Sequence, residues 1–428
     1  MQDQPIAAPP KIEYDLEALR GFAALVVVVS HVISYGKFLD PNYFPGKLTA
    51  LYDGGHLMVL VFFVLSGFVI AISTKQRLTS STTGQYVKKR FTRIYPIYVL
   101  SLVAALLVSA AAHSFFTILS NLTFIDVFLS NVLLDNGPIW SLHYEVLFYA
   151  AFIPLSYLSL NAVRVGVLAV VIGTANYFYA AHFHTPSLTS YCFGFAFWLS
   201  GVVVARHFAQ KETRPVSRRE LLSYLFLLLT IPYFNCFALA FERLSTHHYG
   251  YVIGFPYDGD ISHWFKIAFT FADFSYWPYC FVGVILFINN KLRYKRQVVL
   301  LLQALPLLAI CYTVQQRSDI IRLIAPLACY GISWLLRLPV KVLEAVSAYG
   351  VRFLTWVGSI SYALYVFHIP VLLLFNRITF FSGSLASFGI RVVLYFGFTT
   401  LVAYLLEDKL QPLVRAFLFR SKPALQSA

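Results

Sequence analysis

Three short stretches place charged or titratable side chains inside or beside apolar runs: Glu17 to Val32, Lys88 to Pro96 and Gly137 to Tyr149. Such groups are costly in hydrocarbon and call for a function. In the first stretch Arg20 and His31 are eleven residues apart, which on a helix sets them within about 20° of one face and about 16 Å apart along the axis. One groove can hold both. In the third, Glu145 lies about 7 Å along the helix from Trp140, and His31 lies a similar distance from the end of its own run near Tyr35. A carboxylate at matching depth on a helix of opposite direction holds an imidazole in one tautomer and stabilises its protonated form, as a general base requires. The plainer alternatives are a snorkelling Arg20, a packing His31 and a structural hydrogen bond at Glu145. His143 falls two residues before Glu145, on the other side of the helix, and is expected to be structural.

The second stretch ends in a basic cluster, Lys88, Lys89, Arg90 and Arg93, just before Pro96. Arg90 and Arg93 are at i, i+3 and share a helical face. Two forked guanidiniums so placed suit the phosphates of a nucleotide, and they suit anionic lipid headgroups equally well. Late in the chain Ser361, Tyr362, Tyr365 and His368 recur at helical spacing. Tyr365 and His368 would line an acceptor cleft, although interfacial belts account for most of the 28 Tyr. His182, His184, His247 and His248 lack acidic or thiol neighbours at ligand spacing, and no metal site is expected. Cys192, Cys236, Cys280, Cys311 and Cys329 are odd in number, with no C-x-x-C pair, and read as reduced packing residues.

The elements that carry these groups follow from composition. With 59% hydrophobic and 12% charged residues among 428, the chain reads as an all-α polytopic membrane protein. Spans of about 20 residues give twelve candidates, near 15–35, 56–74, 94–113, 140–159, 162–181, 190–209, 220–241, 267–289, 298–314, 320–338, 352–376 and 386–406. Most of the 33 Lys and Arg fall in alternate loops, while 114–139 and 242–266 hold only Arg243 and Lys266. By the positive-inside rule both termini face the cytoplasm, and the net charge of +14 reports topology rather than nucleic acid. The segment 114–139 would break this alternation as a span, so a short interfacial or re-entrant helix is expected there. No signal peptide, internal repeat, Rossmann pattern or P-loop is found. The expected organisation is a cytoplasmic tail over 1–14, one membrane domain over 15–410 and a cytoplasmic tail over 411–428.

Six segments together carry a resemblance: LRGFAALVVVVSH (Leu19 to His31), FFVLSGFVI (Phe62 to Ile70), KRFTRIYPIY (Lys89 to Tyr98), WSLHYEVLFY (Trp140 to Tyr149), WVGSISYALYVFHIPV (Trp356 to Val371) and YLLEDKLQP (Tyr404 to Pro412). In number, order and spacing the chain resembles the integral-membrane acyltransferase-3 family, the OafA-like or NodX-like O-acyltransferases. The resemblance implies transfer of an acyl group, usually acetyl, from cytoplasmic acyl-CoA to a carbohydrate hydroxyl across the membrane. It makes His31 catalytic and associates Arg20, Arg90 and Arg93 with the donor. The family's W-S-L-x-x-E falls on Trp140, Ser141, Leu142 and Glu145, so Trp140 and Ser141 join Tyr365 and His368 as candidates for substrate binding. Two departures stand out: His143 replaces a small or polar residue, and Pro412 follows Glu407 by five positions, leaving Glu407 without a role. No SGNH domain follows the membrane region, so a second enzyme, if one acts, is expected on another chain.

The physical and family readings converge on His31, oriented by Glu145, removing a proton from the acceptor hydroxyl as it attacks the thioester; an acyl-histidine intermediate is the alternative chemistry. Expected partners are acyl-CoA, a carbohydrate or glycolipid acceptor and membrane lipids, with no metal and no nucleic acid. The expected location is the bacterial inner membrane. The competing class is a secondary transporter or flippase, which twelve spans with buried His and Glu would also suit. Acceptor identity, acyl chain and oligomeric state are not encoded in any pattern found.

Overall fold

Apolar runs of this length satisfy their backbone groups internally only as helices, and the computed structural model contains no strand among the residues it describes, 15–46, 54–183, 186–209, 216–244, 268–288, 293–315 and 320–419. The tail 1–14, Lys266, His184, His247, His248 and the side chain of His182 lie outside the described residues. The helices that bear on the site are α1 (Leu16–Ser34), α2 (Gly55–Ser73), α3 (Ser80–Val108), α4 (Trp140–Tyr157), α5 (Pro186–His207), α6 (Lys341–Ser359), α7 (Ser361–Arg377), α8 (Leu385–Tyr404) and α9 (Gln411–Leu418).

Among the described residues six helices are long and apolar enough to cross a membrane, α1, α2, α3, Ser187–His207, Lys295–Gln315 and Leu385–Leu418, or seven if the bent pair Lys341–Ser359 and Ser361–Arg377 is one span. This is the architecture of an integral membrane protein. The expected runs near 162–181, 267–289 and 320–338 contain the shorter apolar helices Ala162–Phe178, Trp277–Phe287 and Arg322–Leu335. The run near 220–241 is divided into Arg218–Thr230 and Cys236–Leu244. The segment 114–139 forms three short pieces, Phe115–Leu122, Asp126–Leu129 and Leu134–Ile139, in place of a spanning helix.

The span expected over 352–376 falls on two helices in the structure. Helices α6 and α7 meet at 74°, because Ile360 leaves helical geometry at φ −109, ψ 8. The bend seats α6 flat on α1, and the Ser361 hydroxyl donates to the Gly358 carbonyl at 2.7 Å, recovering one of the acceptors freed at the break.

Without a hydrophobic drive between helices in lipid, small residues that let backbones touch decide the packing. Two reciprocal glycine crossings do this. A Cβ on Gly21 would lie 2.0 Å from the Leu354 carbonyl oxygen, and one on Gly358 would lie 1.9 Å from that of Glu17, locking α1 to α6. Likewise Gly67 sits on the Trp198 carbonyl and Gly201 on that of Val64, each with 1.9 Å for an added Cβ, locking α2 to α5. These pairs form the core: 61–67% of the spans α1, α2 and Ser187–His207 is buried inside the protein, against 22% of Leu385–Leu418.

The C-terminal segment repairs a defect in α3. Pro96 has no N–H for the Thr92 carbonyl four residues earlier. The Gln411 amide donates instead to the carbonyls of Thr92 at 2.8 Å and Arg93 at 3.1 Å. Thus the first part of the expected tail is helix α9, reached through a π-helical turn over Leu405–Leu410 and packed against α3.

Candidate active site

Helices α1, α2, α3, α4 and α7 surround a cavity that is partly open to its surroundings. Arg20, Arg90, Arg93, Ser141, Glu145 and Tyr365 line it, joined by Ser66, Tyr149 and Tyr362. Trp140, His31 and His368 are outside its lining. Trp140 packs edge-on against Tyr144 and Phe269, with ring centroids 5.5 and 6.0 Å away.

One end of the cavity is cationic. Arg20 pairs with Glu17 at 3.0 Å. Arg90 donates to the Ser73 hydroxyl at 2.6 Å, lies over the Tyr86 and Tyr149 rings, and keeps a buried Nε–H without a partner. The Arg93 guanidinium makes no hydrogen bond among the described residues. These donors face a space that an anion or amide would satisfy.

Glu145 forms the middle of the wall. Its Oε1 accepts from the Ser66 hydroxyl at 2.6 Å and from the Tyr149 hydroxyl, while Ser66 in turn accepts from the Trp198 indole at 3.2 Å. The hydrogen bond expected between Glu145 and His31 is therefore not formed. The azimuth of α4 turns the carboxylate toward Ser66 of α2.

His31 has another partner. Its Nδ1 lies 2.9 Å from the Val27 carbonyl and 3.2 Å from His368 Nε2, and His368 Nδ1 bonds the Tyr365 carbonyl. Because carbonyls only accept, both Nδ1 atoms carry hydrogens in the neutral pair. His368 Nε2 then shares the His31 Nδ1–H, and the lone pair of His31 resides on Nε2, which has no hydrogen-bond partner among the described residues. The network assigns this tautomer. Tyr365 links the pair to the cavity: its ring is 5.9 Å from that of His368, and its hydroxyl donates to the Pro138 carbonyl at 2.6 Å while contacting Ser141 Oγ at 2.8 Å.

Two groups outside the cavity explain residues the sequence left open. His143 lies buried between Asp126 Oδ2 at 2.8 Å and the Tyr98 hydroxyl at 3.2 Å, tying the 114–139 segment to α3 and α4. Glu407 accepts the Ala363 N–H at 3.3 Å and so caps α7 just beyond the bend. Sequence reasoning also passed over Ser66, a hydroxyl in the middle of an apolar helix, and Tyr149, one turn beyond Glu145. No group of three His, Cys, Asp or Glu arranged to hold a metal occurs among the described residues.

A cavity with arginines at one end and a histidine pair behind the other suits an anionic ligand; comparison with known proteins gives the family. The acyltransferase-domain family model matches residues 13–309, and the chain belongs to that family. Acyltransferase MdmB of Streptomyces mycarofaciens is 31% identical over 164 residues, covering 35% of this chain and 41% of its own. Protein 2 in the picA locus of Rhizobium radiobacter is 37% identical over 98 residues, 22% of this chain and 44% of its own. Putative acetyltransferase ORF330 of Acidianus two-tailed virus is 31% identical over 220 residues, 49% and 62%. The chain thus spans 41–62% of the length of these curated relatives. No solved structure matches. Tyr362, Tyr365, His368 and α9 lie beyond the matched residues, so the family segment supplies the arginines, Glu145 and His31 while the C-terminal part supplies the far wall.

Proposed function

We propose that the protein transfers an acyl group, foremost acetyl, from acyl-CoA to a hydroxyl of a carbohydrate or glycolipid such as O-antigen or exopolysaccharide. The observation that carries this is the single cavity that begins among Arg20, Arg90 and Arg93 and ends at Tyr365, whose other side meets the His31–His368 pair. With twelve spans and both termini cytoplasmic in a bacterial inner membrane, the arginine end opens inward and the histidine end lies in the outer half. The relatives' names, which include an acyltransferase and an acetyltransferase, support the reaction class.

The donor's phosphates engage the arginines while the pantetheine arm runs along the cavity, one amide N–H offered to the free oxygen of Glu145. His31 Nε2 takes the proton of the acceptor hydroxyl as its oxygen bonds to the thioester carbonyl carbon. The C–S bond breaks, and the same imidazolium returns the proton to the departing thiolate. His368 and the Val27 carbonyl hold the Nδ1–H, which keeps the lone pair on Nε2 and stabilises the charged ring. Purified protein with acetyl-CoA and an acceptor glycan should release free CoA and give a glycan heavier by one acetyl group. A protein that moves substrate without consuming thioester would overturn the reading.

A further inference from the structure

The cavity has a neighbour. A second depression is lined by Arg93, Glu407, Gln411, Pro412, Arg415, Ala416 and Phe419, and Arg93 belongs to both. A ligand that occupies both therefore passes the Arg93 guanidinium and places one part against the lining of the second. Three features describe that part. Arg415 makes no side-chain hydrogen bond among the described residues and is exposed, so with Arg93 it leaves two guanidiniums for an anion. Gln411 is 6% exposed; its amide nitrogen is engaged by α3, and its Oε1 is buried without a partner, so it awaits an N–H or O–H donor. Phe419 presents a ring with Lys88 Nζ 4.6 Å from its centroid, a flat apolar surface beside a third cation. Glu407 brings one carboxylate to this wall; it accepts the Ala363 N–H and also attracts Arg93, offsetting part of that guanidinium's charge and leaving Arg415 as the more available cation.

Phosphate, a neutral hydrogen-bond donor and a planar ring together describe a phosphorylated nucleoside. The geometry points to the depression between α3 and α9 as the seat of the adenosine-phosphate end of the acyl-CoA donor, with Arg415 and Arg93 on phosphate, Gln411 Oε1 on an adenine amino or ribose hydroxyl, and Phe419 against the base. This assignment rests on acyl-CoA being the donor. It gives α9 a second task besides mending α3, and it makes the C-terminal helix a determinant of which thioesters the enzyme accepts.

The test compares acetyl-CoA, acetyl-3′-dephospho-CoA and S-acetylpantetheine as donors for wild type, Arg415→Ala and Arg415→Lys, in neutral detergent free of anionic lipid, with free thiol as readout. Arg415 is exposed, so its variants fold. Loss of a charge-assisted contact should raise the KM for acetyl-CoA roughly tenfold at unchanged kcat, with partial recovery in the lysine variant and no change for S-acetylpantetheine. Equal effects on all three donors, or none on any, would overturn the assignment. So would an effect of Arg415 that requires added anionic lipid, which would make the depression a headgroup site. If wild type releases thiol from none of the three, the acyltransferase reading fails first, and the two failures are told apart.

Discussion

The two ends of the cavity are built on opposite plans. At the arginine end, Arg90 and Arg93 leave donors unspent, and cationic charge stands open to a ligand. At the histidine end the side chains are committed to one another and to carbonyls: Tyr365 to Pro138 and Ser141, His368 to Tyr365 and His31, and His31 Nδ1 to Val27, with His31 Nε2 left open among the described residues. The first plan suits binding, since unspent donors gain free energy only when a ligand arrives. The second suits chemistry, since a single lone pair held at fixed orientation needs no reorganisation during reaction.

The contrast breaks most sharply at His31. His31→Ala should lower kcat by about 10²–10⁴-fold, the range for a general base, with donor KM near wild type; kinetics showing a KM effect alone would place the residue with the binding end. His368→Ala should follow at roughly 10–100-fold in kcat, because His31 loses the partner that fixes its tautomer. His368→Gln should restore much of this by offering an acceptor near the Nε2 position, and His31→Ala/His368→Ala should be no worse than His31→Ala alone. Arg90→Ala should raise acyl-CoA KM roughly tenfold and Arg90→Lys less, since an ammonium lacks the fork; equal KM values would return the arginines to a lipid-facing belt. Glu145→Gln should act with the arginines on KM, its loss in kcat/KM adding to that of His31→Ala. Tyr365→Phe should be the mildest, costing about 1 kcal/mol of stability for its hydrogen bonds, as thermal unfolding in detergent will read.

That Arg20, Arg90, Arg93 and Glu145 line one cavity was legible in sequence, because they announce themselves as charges in apolar surroundings. Depth follows from counting residues. Azimuth does not, which is why Glu145 was paired with His31 when its carboxylate turns to Ser66. The partner His31 has is 337 residues away, and only the shared face of Tyr365 and His368 on α7 hinted at it. The bend at Ile360 escaped because 352–376 is continuously apolar, and hydropathy is blind to a break. Glu407 escaped for a related reason: the π-helical turn shifts the spacing that would align it, and its job at Ala363 is set by a tertiary contact.

The glycine seats of α1 and α6 have a mechanical consequence. Main chain rests on main chain at Gly21 and Gly358, with no side-chain cushion to slide over. α1 carries His31, and α6 turns directly into α7, which carries His368. The two imidazoles are thus bolted to a single bracket, their separation fixed by a joint remote from both rings. The opposite wall is held by side chains instead: α3 has one glycine, Gly84, with nothing within 4 Å, and α4 has none, while the Tyr362 hydroxyl donates to the Ile94 carbonyl at 2.8 Å and Ser141 meets Tyr365 at 2.8 Å.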